Sequence, residues 1–187
     1  MNSKTKTLVG IGLFTAIVVV LQLLGAFIKF GLFSISLVLV PIVVGAAVYG
    51  WKCGAWLGFA FGATVLLSGD AAAFFAINEL ATVLVVLAKG VCSGLAAGLI
   101  YHALKRYNKI LAVLAAAIIC PVVNTGIFLL GCQLFFMPTI RSWAAAEQST
   151  VMNFIIFGLG ILNFPVELGI NIVLSPVITR IIKIGEK

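Results

Sequence analysis

Lys89, Asn124, Asn163, Glu167 and Asn171 stand inside long apolar runs, where a polar side chain has no water to fall back on and must find a partner. Their types suit binding rather than bond making. An ammonium group attracts a carboxylate, a carboxylate accepts hydrogen bonds, and a carboxamide both donates and accepts. Asn163, Glu167 and Asn171 are four residues apart, which sets them along one face of a helix. Asn124 follows Pro121, whose missing N–H releases a backbone carbonyl nearby. Lys89 is the costliest of the set, at about 2.5–3.5 kcal/mol for a lysine at the centre of a bilayer.

Catalytic patterns are missing from the sequence. No GxxxxGK[ST] run, no HExxH and no Ser-His or Cys-His arrangement occurs, and His102 stands alone near the end of an apolar segment. The expectation is therefore a chain that is not an enzyme, hydrolyses no ATP and carries no cofactor. Cys53, Cys92, Cys120 and Cys132 are scattered one to a segment without ligand spacing, so no metal site is expected and they read as small buried residues.

The elements that hold these groups are membrane helices. With 63% hydrophobic and 9% charged residues over 187 positions, and a mean hydropathy of +1.28, no water-soluble core could hide the apolar surface. Apolar stretches predict six spans at about 8–28, 35–49, 54–68, 79–103, 110–135 and 153–182. Gly50 to Gly54 reads as a tight turn between the second and third spans, and the sixth is long enough to tilt or project. The expected class is an all-α integral membrane protein, residues 1–187 forming a single six-helix transmembrane domain.

The charge pattern sets its orientation. Lys4, Lys6, Lys52, Lys105, Arg106, Lys109, Arg180, Lys183 and Lys187 fall on the side of the termini, against Lys29 and Arg141 on the other. The positive-inside rule then makes both termini cytoplasmic in a cell membrane. The net charge of +7 is thus a topology signal, and its scatter over turns and ends speaks against nucleic acid as a partner. The first segment lacks a small-residue cleavage pattern and includes Gln22, so it reads as a retained helix rather than a signal peptide.

Small residues mark where helices meet. Gly54, Gly58 and Gly62 recur every four residues on the third span and Gly90, Gly94 and Gly98 on the fourth, as expected of two helices in close contact. Gly12 and Ala16 form a smaller patch on the first span, which fits either its own bundle or another membrane subunit. The Ser68 to Glu79 segment, with Phe75 and Asn78, reads as a lid over a ligand. The amphipathic segment from Phe136 to Asn153 reads either as a second lid or as an interfacial aromatic belt.

The polar set has two readings. One is a buried Lys89–Glu167 pair that neutralises itself, with the asparagines as interhelical glue. The other is a polar small-molecule site, and intramembrane ionisable groups more often mark function than stability.

The run from Leu37 to Gly58, with Pro41, Gly45, Gly50, Trp51, Gly54 and Trp56, followed by Lys89-Gly-Val-Cys-Ser-Gly94-Leu-Ala-Ala-Gly98, resembles the substrate-binding S-components of energy-coupling factor (ECF) vitamin transporters. The resemblance covers essentially the whole chain. It implies a vitamin bound near the outer face by helices four to six and the outer loops. It also implies docking through the first helix onto a transmembrane coupling subunit, the T component, driven by two cytosolic ATPases that use the ATP. The family's docking motif is a pair of alanines four residues apart, and Gly12 and Ala16 match it with a glycine in the first place.

For the ligand, the set Lys89, Asn124, Asn163, Glu167, Asn171, Asn78 and Phe75 suits a small flexible carboxylate with hydroxyl or amide groups, and the chain looks most similar to pantothenate-type S-components. Biotin, folate and riboflavin stay open. A self-sufficient proton-coupled carrier using Glu167 is the competing class, although no inverted repeat supports it.

Overall fold

The computed structural model describes residues 3–26, 29–30, 33–34, 37–159 and 163–185, with side-chain surroundings for 5–26, 37–159 and 164–182. Over these residues the chain is made of helices joined by short turns, with a two-residue antiparallel pairing of β1 (Lys29–Phe30) with β2 (Phe33–Ser34). The helices are α1 (Ser3–Gly25), α2 (Leu39–Tyr49), α3 (Trp51–Leu67), α4 (Ala72–Phe75), α5 (Glu79–Leu104), α6 (Lys109–Gly131), α7 (Met137–Ala146), α8 (Val151–Asn153) and α9 (Asn163–Gly185).

Among the described residues, four stretches are long and apolar enough to cross a bilayer: Thr5–Gly25, Glu79–Leu104, Lys109–Ala146 and Phe164–Ile182. The spans expected at about 35–49 and 54–68, the two shortest of the six, are helices of 11 and 17 residues, ~16 Å and ~26 Å long. For α2 the reason is its position. It packs against α1, α3, α5, α6 and α9, and between Leu39 and Ala47 every residue except Val40 is buried. A helix that is apolar all round belongs in the middle of a bundle, where it has no lipid thickness to match.

Gly50 alone separates α2 from α3. Its φ of +97° is a conformation that a Cβ disfavours, so one glycine turns the chain and Trp51 to Gly54 already belong to α3. The glycine stripes do pack α3 on α5. A Cβ on Gly54 would strike the Gly94 carbonyl, one on Gly58 the Gly90 carbonyl, and one on Gly62 would lie 2.9 Å from the Val86 carbonyl oxygen. Partner numbers fall as the α3 numbers rise, so the two helices run antiparallel with their backbones in contact.

The same kind of pairing orients the others. Gly10 faces the Tyr49 ring and Phe14 faces Gly45, setting α1 antiparallel to α2. Trp56 Nε1 donates to Thr15 Oγ1 at 3.1 Å and Gln22 Nε2 to Asp70 Oδ2 at 3.2 Å, so α1 runs with α3. Val85 lies against Gly131 and Ser93 against Cys120, which makes α6 antiparallel to α5. Tyr49, Trp51 and Gly98 thereby share one end of the bundle with the start of α1, and Lys52, Lys105, Arg106 and Lys109 gather there.

Two expectations need correction at the opposite end. The helix expected to stop near 135 passes through a π-helical turn, Cys132–Phe136, straight into α7. The segment expected at the membrane interface is thus largely helix, and its apolar side, Ile140 and Ala144, packs with Phe136, Phe74 and Phe154 inside the protein. The helix expected over 153–182 is instead α8, a π-helical turn Phe154–Gly158, a bend at Leu159, and then α9. Residues 160–162 lie outside the description. Gly158, Gly160 and Pro165 carry the signal for that division, since proline is at home in the first turn of a helix and glycine at the end of one.

Candidate functional site

Lys89 lies eleven residues into α5 and is 9% exposed. Its Nζ is 5.7 Å from the centre of the Phe61 ring on α3 and 5.5 Å from that of Phe128 on α6, so two ring faces share the ammonium charge. Glu167 of α9 and Asp70 of the turn between α3 and α4 are near enough to act on its charge. One cation thus ties α5 to three other helices and a turn.

Glu167 is buried, and the Cys120 thiol, which pairs with Ser93, is near enough to feel its charge. Asn171 follows one turn later, and its Nδ2 donates to the Glu167 backbone carbonyl at 2.8 Å. That bond fixes the carboxamide and turns its oxygen away from its own helix. Asn171 Oδ1 and Asn124 Oδ1 are both buried, and among the described residues neither accepts a hydrogen bond. Leaving an acceptor so costs about 1–3 kcal/mol in a dry interior. Two amide oxygens on two helices thus call for donors that the described protein does not supply.

Other buried polar groups are already satisfied by their own helices. Thr64 donates to the Ala60 carbonyl at 2.7 Å, Thr82 to Asn78 at 2.8 Å and Ser93 to Gly90 at 2.8 Å. They are packing-compatible hydroxyls that leave no donor pointing elsewhere.

The remaining expected residues divide. Asn163 opens α9, but its side chain lies outside the described residues. Asn78 is exposed and its Oδ1 accepts from Ala81 N at 3.0 Å, so its oxygen caps α5. Phe75 is half-buried, and the neighbouring Phe74 takes the central place instead. Phe74 meets Phe128 at 5.9 Å, Phe136 at 4.8 Å and Trp143 at 5.8 Å, all edge-on. An aromatic layer contributed by α4, α6, the π-helical turn and α7 thereby covers the Lys89 level through the shared Phe128. Gly12 and Ala16 are far from this group, exposed on the outer side of α1.

Sequence reasoning missed Asp70, Gln22, Phe61, Phe74 and Phe128 as members of this constellation. Asp70 had a visible signal, an acid set between Gly69 and the apolar run Ala71 to Phe75. The aromatic residues had none, because a phenylalanine in an apolar helix looks the same whether it faces lipid, core or a lysine.

Fold and site together define a polytopic membrane helix bundle with a buried, charged and partly unsatisfied polar cluster. Residues 6–179 match the family model described as ECF transporter, substrate-specific component, and the chain belongs to that family. Comparison with curated proteins and with solved structures returned no match.

Proposed function

We propose that this chain is the high-affinity vitamin-binding S-component of an ECF-type ABC transporter, and that it captures a small carboxylate vitamin, pantothenate in the first instance. The observation that carries the reading is the buried Lys89 ammonium accompanied by the two amide oxygens of Asn124 and Asn171 that accept nothing from the described protein. In this reading Lys89 binds the carboxylate and Asn124, Asn171, Glu167 and Asn163 receive hydroxyl and amide protons. Phe75 and Asn78 belong to the segment that closes over the ligand.

Gly12 and Ala16 dock the T component, and ATP is spent by two cytosolic ATPases, with no cofactor in this chain. The basic end formed by Lys52, Lys105, Arg106 and Lys109 faces the cytoplasm together with both termini. A flavin or pterin vitamin is the second reading. It is favoured by the rings of Phe61, Phe74, Phe128 and Trp143 around and above Lys89.

Lys89→Met keeps length and apolar character while deleting the charge. Affinity for the carboxylate vitamin, measured by calorimetry on the purified chain, is expected to fall at least about tenfold, ~1.4 kcal/mol, with the protein still monodisperse. Unchanged affinity with lowered stability would return Lys89 to a purely structural role.

Asn124→Ala probes the other half of the site. It should weaken the parent vitamin more than an analogue lacking the hydroxyl or amide that Asn124 receives, by about 1–3 kcal/mol. Equal weakening of both compounds would point to a packing defect instead.

A further inference from the structure

Lys89 faces more negative charge than one ligand carboxylate can easily join. Among the described residues the groups around it include Glu167 on α9, Asp70 in the α3–α4 turn, the Cys132 thiol and the rings of Phe61 and Phe128, so two carboxylates already address one ammonium. A third carboxylate arriving at the same cation would meet like charge in a medium of low dielectric. One of the resident acids has to give way.

The two acids are held differently. Glu167 belongs to a helix, with Asn171 bound to its backbone one turn on. Asp70 belongs to a turn, directly after Gly69, whose φ of +76° lets the chain reverse and which has open space on its Cβ side. From outside that turn Asp70 is addressed by Lys89 and also receives the bond from Gln22 Nε2 on α1 to its Oδ2, 3.2 Å long, with Gln22 1% and Asp70 7% exposed. Immediately beyond Asp70 come Ala71 and Phe74, both buried in the bundle and the aromatic layer.

We infer that Asp70 is an internal stand-in for the ligand's carboxylate, positioned by Gln22, and that ligand binding displaces it and breaks the Gln22–Asp70 bond that joins α1 to the site. The inference rests on the carboxylate reading given under Proposed function. It makes Asp70 a positioning and specificity residue, one that lowers affinity in exchange for linking occupancy to α1.

The test compares each of two carboxylate vitamins, pantothenate and biotin, with its own primary amide on wild type, Asp70→Asn and Gln22→Leu by calorimetry. Asp70→Asn keeps the shape and removes the competing charge. For whichever carboxylate the wild type binds, its affinity relative to its amide should rise on the order of tenfold in Asp70→Asn. Gln22→Leu should shift the same ratio in the same direction, because an Asp70 released from its donor competes less well.

A ratio that is unchanged or falls overturns the inference, since an acid that contacts the ligand favourably, or merely supports the fold, would not oppose the charged compound selectively. Lys89→Met separates this outcome from failure of the underlying reading. If Lys89→Met weakens the carboxylate and Asp70→Asn does not strengthen it, the stand-in fails while the carboxylate site survives. If the wild type binds neither carboxylate, or Lys89→Met leaves affinity unchanged, both fail.

Discussion

Gly12→Trp is expected to abolish ATP-driven uptake while leaving ligand binding by the isolated chain near normal. The inward face of α1 runs through Gly10, Phe14, Val18 and Gln22, which meet Tyr49, Gly45, the main core and Asp70. At 3.6 residues per turn, Gly12 and Ala16 are each roughly 160° around the helix from Phe14. A Cβ built on Gly12 has nothing within 4 Å and the residue is exposed, so a larger side chain starts out into open space rather than into the bundle.

A partner helix would meet it directly, because small residues let two backbones approach and a tryptophan prevents that. Co-purification of the T component from a co-expressed complex, and vitamin uptake into proteoliposomes with ATP, should both collapse. Binding by the isolated subunit is the internal control. Preserved uptake, or lost binding, would show that this patch is not the docking surface.

Gly58→Leu should have the opposite signature, loss of the folded protein itself. A Cβ on Gly58 falls onto the Gly90 carbonyl and lies 3.1 Å from the Val91 Cα, and the reciprocal Cβ on Gly90 falls onto the Gly58 carbonyl. These obstacles are backbone, which cannot swing aside as a side chain does, so α3 and α5 must separate along the most extensive helix contact in the bundle. Overpacking a well-filled core costs typically about 1–3 kcal/mol, and forcing two backbones apart should exceed that range.

Gly126→Ala provides the contrast, since nothing lies within 4 Å of a Cβ there. Its thermal unfolding in detergent should stay within about 0.5 kcal/mol of wild type. A Gly58→Leu protein that melts like the wild type would mean that the α3–α5 contact is looser than these distances require.

Gly58 and Gly12 show where legibility in the sequence ends. Both occur in four-residue small patterns, and the periodicity correctly assigns Gly54, Gly58, Gly90 and Gly94 to one helix contact because two complementary stripes of equal period pair naturally. For Gly12 the pattern left two faces open. Only the placement of Phe14, Val18 and Gln22 against the bundle turns Gly12 outward.

The apolar content and its segmentation, read from composition alone, determined a membrane helix bundle, because backbone polar groups in lipid must be satisfied within helices. The same reading located Lys89, Asn124, Glu167 and Asn171, since a buried polar group in an apolar run is conspicuous. Helix lengths were another matter. The run of α6 through a π-helical turn into α7 depends on which neighbours surround the segment rather than on its hydropathy.

Only the tertiary structure placed Asp70 and Gln22, 48 residues apart, in one hydrogen bond, and set Phe61 and Phe128 over Lys89. Depth in the membrane is a property of one helix and can be counted along it. Which side chains converge at that depth depends on the rotation of every helix about its own axis, and that is decided by contacts such as the glycine crossing of α3 and α5, through close packing that no single segment encodes.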